Sequence, residues 1–122
     1  MNYRGQDHKA MFTLATKNKT NSAVRYLAAI YLLTADKKLW SISKKAVSTN
    51  GVDFSKITSA GLNPEAYTLL MTAKDFYTDT GNLSAADLVN KEIVSAKVFA
   101  VICTAMSICR YGLNFYEGKN VT

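Results

Sequence analysis

Proline, histidine and cysteine are scarce in this chain of 122 residues, which has one proline, one histidine and two cysteines. A structural zinc site needs several Cys or His ligands at short spacing, so this composition argues against a metal site. Cys103 and Cys109 are six residues apart, which on a helix separates them by about 9 Å along the axis. We therefore predict that they form no disulfide within that helix and that both are buried, unreactive thiols.

Long apolar runs are also missing. The stretch between Lys97 and Arg110 carries no charge, but it is shorter than the roughly 20 apolar residues that cross the hydrocarbon layer of a membrane. The first residues, MNYRGQDHKAMF, lack the charged-then-apolar order and the cleavage site of a secretory signal. These two observations predict a protein that has no membrane partner and lies in the cytoplasm.

Groups that catalyse reactions are few. His8 stands alone, where we predict a capping or surface role. Asp75 and Asp79 are the one close helical pair of acids; they fit no metal or glycosidase arrangement, and we predict an exposed helix face for both. The segments TNG and TSAG lack the lysine and the spacing of a nucleotide-binding loop. The sequence thus predicts a protein that is not an enzyme and has no cofactor.

What the chain does contain is typical of a folded helical protein. Hydrophobic residues make up 48% and charged residues 20%, as in ordinary soluble globular domains. Apolar residues recur at spacings of three and four, which favours helices throughout. We predict an all-α fold: a compact single-domain bundle of five to six helices over residues 1–122, with a short polar tail from about residue 113.

Two segments are apolar around almost the whole helix circumference. They are SAVRYLAAIYLLTA, over residues 22–35, and the helix that we predict over residues 91–111 with Asn90 as its N-cap. A helix that is apolar all round is usually enclosed by the rest of the protein. We predict that these two helices pack against each other at the centre of the bundle.

Short polar residues and glycines predict where the other elements begin and end. Asn50 and Gly51 indicate a turn. Gly81 and Gly112 are predicted to close helices. Side-chain N-caps are also predicted at Asp7, Asp36, Asp53 and Asn63, the last followed by Pro64 and Glu65, and a capping box is predicted at Ser84 and Asp87.

The order of these segments resembles a known group of proteins. An early helix with His8 and Phe12 is followed by YLAAIYLLTADKKLW, by NPEAYTLLMTAKDFYTDTGN and by a helix that ends in AMSICRYG. This pattern resembles a family of small all-helical bacterial proteins that phages and mobile elements often carry. The resemblance covers roughly residues 6–112 and implies a single helical domain with a role in the contest between mobile DNA and its host. It implies no catalytic residues.

Charge is distributed unevenly along the chain. The net charge is +6 and the pI about 9.4; residues 1–61 contain ten basic and three acidic residues, giving +7, and the remainder gives −1. Such asymmetry is typical of a surface that meets nucleic acid or an acidic protein, although lysine-rich helix faces are often only solvated. On a helix the four lysines near Trp40 share one arc. The predicted basic patch comprises Lys17, Lys19, Arg25, Lys37, Lys38, Lys44 and Lys45.

These observations lead to two hypotheses about function. The first is a non-enzymatic accessory protein of a phage or mobile element that binds and inhibits or modulates a host macromolecule, a host protein or nucleoprotein, in an anti-defence role. The alternative is a nucleic-acid-binding protein that uses the same basic helix face. Tyr26, Tyr31 and Trp40 are expected in the core. Tyr3, Phe115 and Tyr116 leave homodimerisation open.

Overall fold

The computed structural model describes residues 2–20 and 23–113, and within them the fold is all-helical apart from one small hairpin. The predicted all-α class is therefore confirmed. The predicted tail beyond residue 113, with Phe115 and Tyr116, lies outside the described residues. The elements in chain order are α1 (Gln6–Ala15), α2 (Val24–Leu33), α3 (Lys37–Ser43), β1 (Val47–Ser48), β2 (Gly51–Val52), α4 (Pro64–Thr78), α5 (Ala85–Val89) and α6 (Ala96–Tyr111). Short 3₁₀ turns span Lys44–Ala46 and Phe54–Lys56.

Helix α2 is the centre of the fold. All eight residues from Tyr26 to Leu33 are buried, as its apolar circumference predicted. Its most extensive packing is against α4 and α6, which lie against it more than against each other. The remaining elements surround this three-helix core, which contains most of the buried apolar side chains.

Helix α6 packs on α2, as predicted, but its opposite side is exposed. Phe99 and Met106 are among the exposed large apolar side chains. Cys103 is exposed as well, so the prediction of two buried thiols is wrong for this residue. Cys109 is half-buried, and burial raises the pKa of its thiol above the ordinary value.

The predicted start of α6 at Asn90 is wrong. Asn90 instead follows α5, and its side chain accepts a hydrogen bond from the Glu92 amide at 2.9 Å. Ser95 is the N-cap of α6, and its hydroxyl donates to Glu65 at 2.8 Å. Both residues are of the capping type, and the bond between Ser95 and the first turn of α4 joins the two helices where α6 begins.

Several other predicted caps are confirmed. The side chains of Asp36 and Asn63 accept hydrogen bonds from the Leu39 and Ala66 amides, at 2.9 and 2.8 Å. Asp53 accepts from the Ser55 amide at the start of its 3₁₀ turn. Ser84 and Asp87 form a reciprocal capping box, and Gly112 closes α6.

Two predicted helix ends are corrected. Gly5, not Asp7, is the N-cap of α1; Asp7 lies in the first turn and forms an ion pair with Lys37 at 2.6 Å. Helix α4 ends at Thr78, and its C-cap Asp79 adopts the left-handed conformation with φ 59°, so Gly81 does not close the helix. Asn and Asp tolerate this conformation better than other non-glycine residues, because their short polar side chains can bond locally.

The hairpin of β1 and β2 corresponds to the turn predicted at Asn50 and Gly51. Val47 pairs with Val52, and Ser48 with Gly51. Gly51 has φ 134°, and a Cβ at this position would collide with the Tyr77 hydroxyl of α4. The same hydroxyl accepts a hydrogen bond from the Val52 amide at 3.2 Å. Glycine therefore allows the hairpin to lie directly on α4.

Ser43, at the end of α3, is fully buried, and its hydroxyl has no hydrogen-bond partner among the described residues. We expect Ser43→Ala to raise the free energy of unfolding by about 1 kcal/mol, because alanine removes an unsatisfied polar group without a large cavity. Urea denaturation measures this change. The matched control is Ser41→Ala, at an exposed hydroxyl that donates to the Lys38 carbonyl. If Ser43→Ala were no more stable than the wild type, the prediction would be wrong.

Candidate basic groove

A groove lies between the end of α1, the start of α2, α3 and the hairpin. Its volume is about 320 Å³. Both aromatic and cationic side chains line it, and none of the acidic residues that the structure describes does. The lining residues are Leu14, Ala15, Asn18, Lys19, Tyr26, Trp40, Lys44, Val47, Ser48 and Thr49. We refer to this feature as the basic groove.

Tyr26 and Trp40 form the aromatic wall of the basic groove. Tyr26 is buried, and burial raises the pKa of its phenol, so the hydroxyl stays protonated at neutral pH. The Lys19 ammonium lies over the Tyr26 ring, 4.3 Å from its centroid, and donates to the Thr49 carbonyl at 2.6 Å. Trp40 is half-buried and packs on the core. Tyr26 belongs to the core, as expected, whereas Trp40 only packs against the core, and both line the groove.

No described acidic residue forms an ion pair with the lysines around the groove. Lys19 and Lys44 line it, and Lys45 follows on the same exposed 3₁₀ turn. Lys17 and Lys9 line the adjoining outer surface of α1, which shares Leu14 with the groove. The ion pairs that the described residues form involve other cations. Cations without acidic neighbours attract phosphate and other anions.

The rest of the predicted patch lies elsewhere and is engaged within the chain. Lys37 pairs with Asp7. Lys38 donates to the Gly61 carbonyl at 2.7 Å, and Arg25 donates to the Phe76 carbonyl at 2.7 Å. Of the predicted patch, the structure thus places Lys19 and Lys44 in the groove and Lys17 on the adjoining surface of α1. Lys45 follows Lys44 on the 3₁₀ turn, and Arg25, Lys37 and Lys38 do not line the groove.

His8 is a buried residue, and the predicted capping or surface role is wrong. It is 3% exposed. Its Nδ1 accepts from the Arg4 amide at 3.0 Å, and its Nε2 lies 2.8 Å from the Tyr31 carbonyl, to which the neutral ring donates. The rings of Tyr3 and Tyr31 contact it. The Tyr31 hydroxyl also donates to the Asn2 carbonyl, so this cluster attaches the residues before α1 to α2.

The predicted exposed pair of acids is corrected in one member. Asp75 is buried and accepts four hydrogen bonds from the loop after α4, whereas Asp79 is exposed. In residues 2–20 and 23–113, no group of His, Cys, Asp or Glu side chains is arranged to hold a metal ion. The helices of this part of the chain are all too short or too polar to span a membrane. No protein family, curated protein or solved structure matches the chain.

The sequence predicts that the lysines of the groove share a basic surface, but it does not predict the groove itself. One signal was available, since Trp40 and Lys44 are separated by one helical turn and such residues are neighbours on a helix surface. No local sequence pattern indicates the opposite wall, which Lys19 and Thr49 form. Lys19 and Thr49 meet only because the hairpin folds back beside the end of α1.

Proposed function

We propose that this chain is a non-enzymatic binding protein that attaches to a macromolecule of a bacterial host through the basic groove, with nucleic acid as the ligand. This proposal is supported by the lysines beside the aromatic wall, which form no ion pair with any residue that the structure describes. Lysine ammonium groups bind phosphate, and aromatic rings bind bases. The phage or mobile-element origin, the anti-defence role and the cytoplasmic location are further parts of the proposal and are supported by the sequence alone.

The test is fluorescence anisotropy of labelled DNA and RNA over a series of salt concentrations. We expect the double variant Lys17→Gln, Lys44→Gln to bind at least tenfold more weakly than the wild type. If two phosphate contacts are lost, the slope of log affinity against log salt should fall by about 1.4 for a single strand. The matched control is Lys91→Gln, Lys97→Gln, which removes the same charge from exposed positions outside the groove.

Two outcomes would contradict this proposal. One is an equal loss in both double variants, which would mean that net charge and not the groove attracts the ligand. The other is the absence of binding near physiological salt. The first result would indicate non-specific attraction of nucleic acid to a basic protein, and the second would favour a protein partner.

A host protein is the second candidate, and the exposed side of α6 favours it. Phe99, Cys103 and Met106 lie exposed on one face of this helix, and Arg110 follows on the same face one turn beyond Met106. Helix α6 contains no acidic residue. An apolar face with a basic end is complementary to an apolar surface with an acidic rim. Binding of a protein at this face should depend only weakly on salt.

A further inference from the structure

We propose that the basic groove receives an unpaired base of a single-stranded nucleic acid against Trp40, while Lys17 and Lys44 hold the phosphates on either side. This inference rests on the proposed function and narrows its ligand to single strands. It follows from the size of the groove, from the ring that remains free within it and from the position of the lysines.

The size of the groove favours one planar group. Its volume of about 320 Å³ is at the lower end of the roughly 300–1,000 Å³ typical of small-molecule pockets. The hairpin turn and the end of α1 are joined across it by the bond from Lys19 to Thr49. The bases of a duplex are stacked and paired inside the helix, so a duplex presents only its phosphates and groove edges to such a site.

Trp40 is the ring available for stacking. The Tyr26 ring is already covered by the Lys19 ammonium, so Tyr26 serves as a wall. Trp40 is half-buried and lines the same space. Stacking of a base on an aromatic side chain tolerates any base sequence, because every base has a flat face. Asn18 and Ser48 also line the groove and are able to bond to base edges.

The lysines lie where a strand would need them. Lys44 follows Trp40 by four residues and lines the same groove, and Lys17 lies on the adjoining surface of α1. A strand that crosses the groove with one base inserted would therefore pass cations on both sides. Basic tracks with interleaved aromatics are how proteins bind single strands without sequence preference.

Intrinsic fluorescence tests the inference directly, because Trp40 is the only tryptophan of the chain. The ligands are oligothymidylate about 12 nucleotides long, its duplex with oligodeoxyadenylate, and thymidine monophosphate. We expect the single strand to quench Trp40 and to bind at least tenfold more tightly than either of the others. Anisotropy of the labelled single strand should show about tenfold weaker binding by Trp40→Leu and near-normal binding by Trp40→Phe, which keeps a ring.

Tyr67→Leu is the matched control, because Tyr67 is an exposed aromatic residue on α4 outside the groove, and its binding should be unchanged. Duplex binding as tight as single-strand binding, or single-strand binding without quenching, would overturn the inference but leave the proposed function standing. Binding of the mononucleotide as tightly as the strand would overturn the assignment to single strands. If no nucleic acid binds, both proposals fail. Should Trp40→Leu not fold, the wild-type titrations alone decide between these outcomes.

Discussion

Asp75→Asn is expected to lower the free energy of unfolding by about 2–3 kcal/mol. Asp75 is 8% exposed. It accepts from the Thr80 hydroxyl, from the Asn82 amide and side chain, and from the Leu83 amide, at 2.7 to 2.9 Å. Asparagine has one acceptor oxygen and turns an NH₂ group toward some of these donors, so the loop after α4 loses several charge-assisted bonds at once.

The pH dependence of the Asp75 contribution has a definite sign. Burial alone would raise the pKa of the carboxyl group, but the bonds from Asn82, Leu83 and Thr80 outweigh it and hold the pKa below the ordinary value. The folded state therefore binds this proton less readily than the unfolded state. The stabilisation is fully present above the unfolded pKa of about 3.9 and is lost as the pH falls through the folded pKa.

Urea denaturation at neutral pH measures the effect of Asp75→Asn. The matched control is Asp79→Asn, which makes the same chemical change at the exposed left-handed end of α4. Asparagine adopts that conformation readily, so the control should change stability by less than about 0.5 kcal/mol. Equal effects of the two substitutions would show that the four bonds to Asp75 contribute little.

The second large effect concerns His8. We expect His8→Ala to lower the free energy of unfolding by about 2–4 kcal/mol. The substitution leaves a cavity among aromatic rings and removes the partners of the Arg4 amide and the Tyr31 carbonyl. These contacts attach the residues before α1 to α2, so the loss should also increase proteolysis near the start of the chain.

The same residue should make the fold sensitive to mild acid. Burial lowers the pKa of His8 below its ordinary value; the bond to Tyr31 opposes this shift, and the Arg4 cation adds to it. The Glu65 carboxylate forms an ion pair with Arg4 at 3.7 Å and so reduces the effect of the Arg4 charge on His8. Because the folded pKa is depressed, stability is fully present above the unfolded pKa of about 6.5 and falls as the pH drops toward the folded pKa.

His8→Gln separates the two effects. Glutamine keeps a polar amide but does not titrate, so the variant should be less stable than the wild type at pH 7 and should show no loss between about pH 6.5 and 5. His8 is the only histidine, which leaves few other groups to titrate in this window. Thermal denaturation across that range measures both proteins. If the stability of the wild type and of His8→Gln changed in parallel with pH, the pKa of His8 would be the same in the folded and unfolded states, and the prediction would be wrong.

The parts of the fold that the sequence predicts depend on local rules. The cap at Asn63 and the box at Ser84 involve residues within one turn of each other, and the burial of α2 follows from its own apolar circumference. The start of α6 does not depend on local rules alone, because Asn90 and Ser95 are both capping residues. In the structure α6 begins after Ser95, and Ser95 also donates a hydrogen bond to Glu65, thirty positions away in the sequence.

The candidate site was predicted only in part for a similar reason. The arc of four lysines assumed one continuous helix, but α3 ends at Ser43 and a 3₁₀ turn carries Lys44 and Lys45. Lys38 is held by a carbonyl of a distant loop, at Gly61. His8 is buried because the chain before α1 lies over α2, and a single histidine gives no periodic signal from which this could be read.

The central position of α2 has a consequence for how such a protein can diverge. A substitution in α2 disturbs its packing with both α4 and α6, its two most extensive neighbours, so its sequence should change slowly over evolution. The basic groove is formed mainly by α1, α3 and the hairpin, which surround this core. Its rim residues Asn18, Lys44 and Ser48 are exposed. Lineages of this protein can therefore change the side chains of the groove while inheriting the same interior.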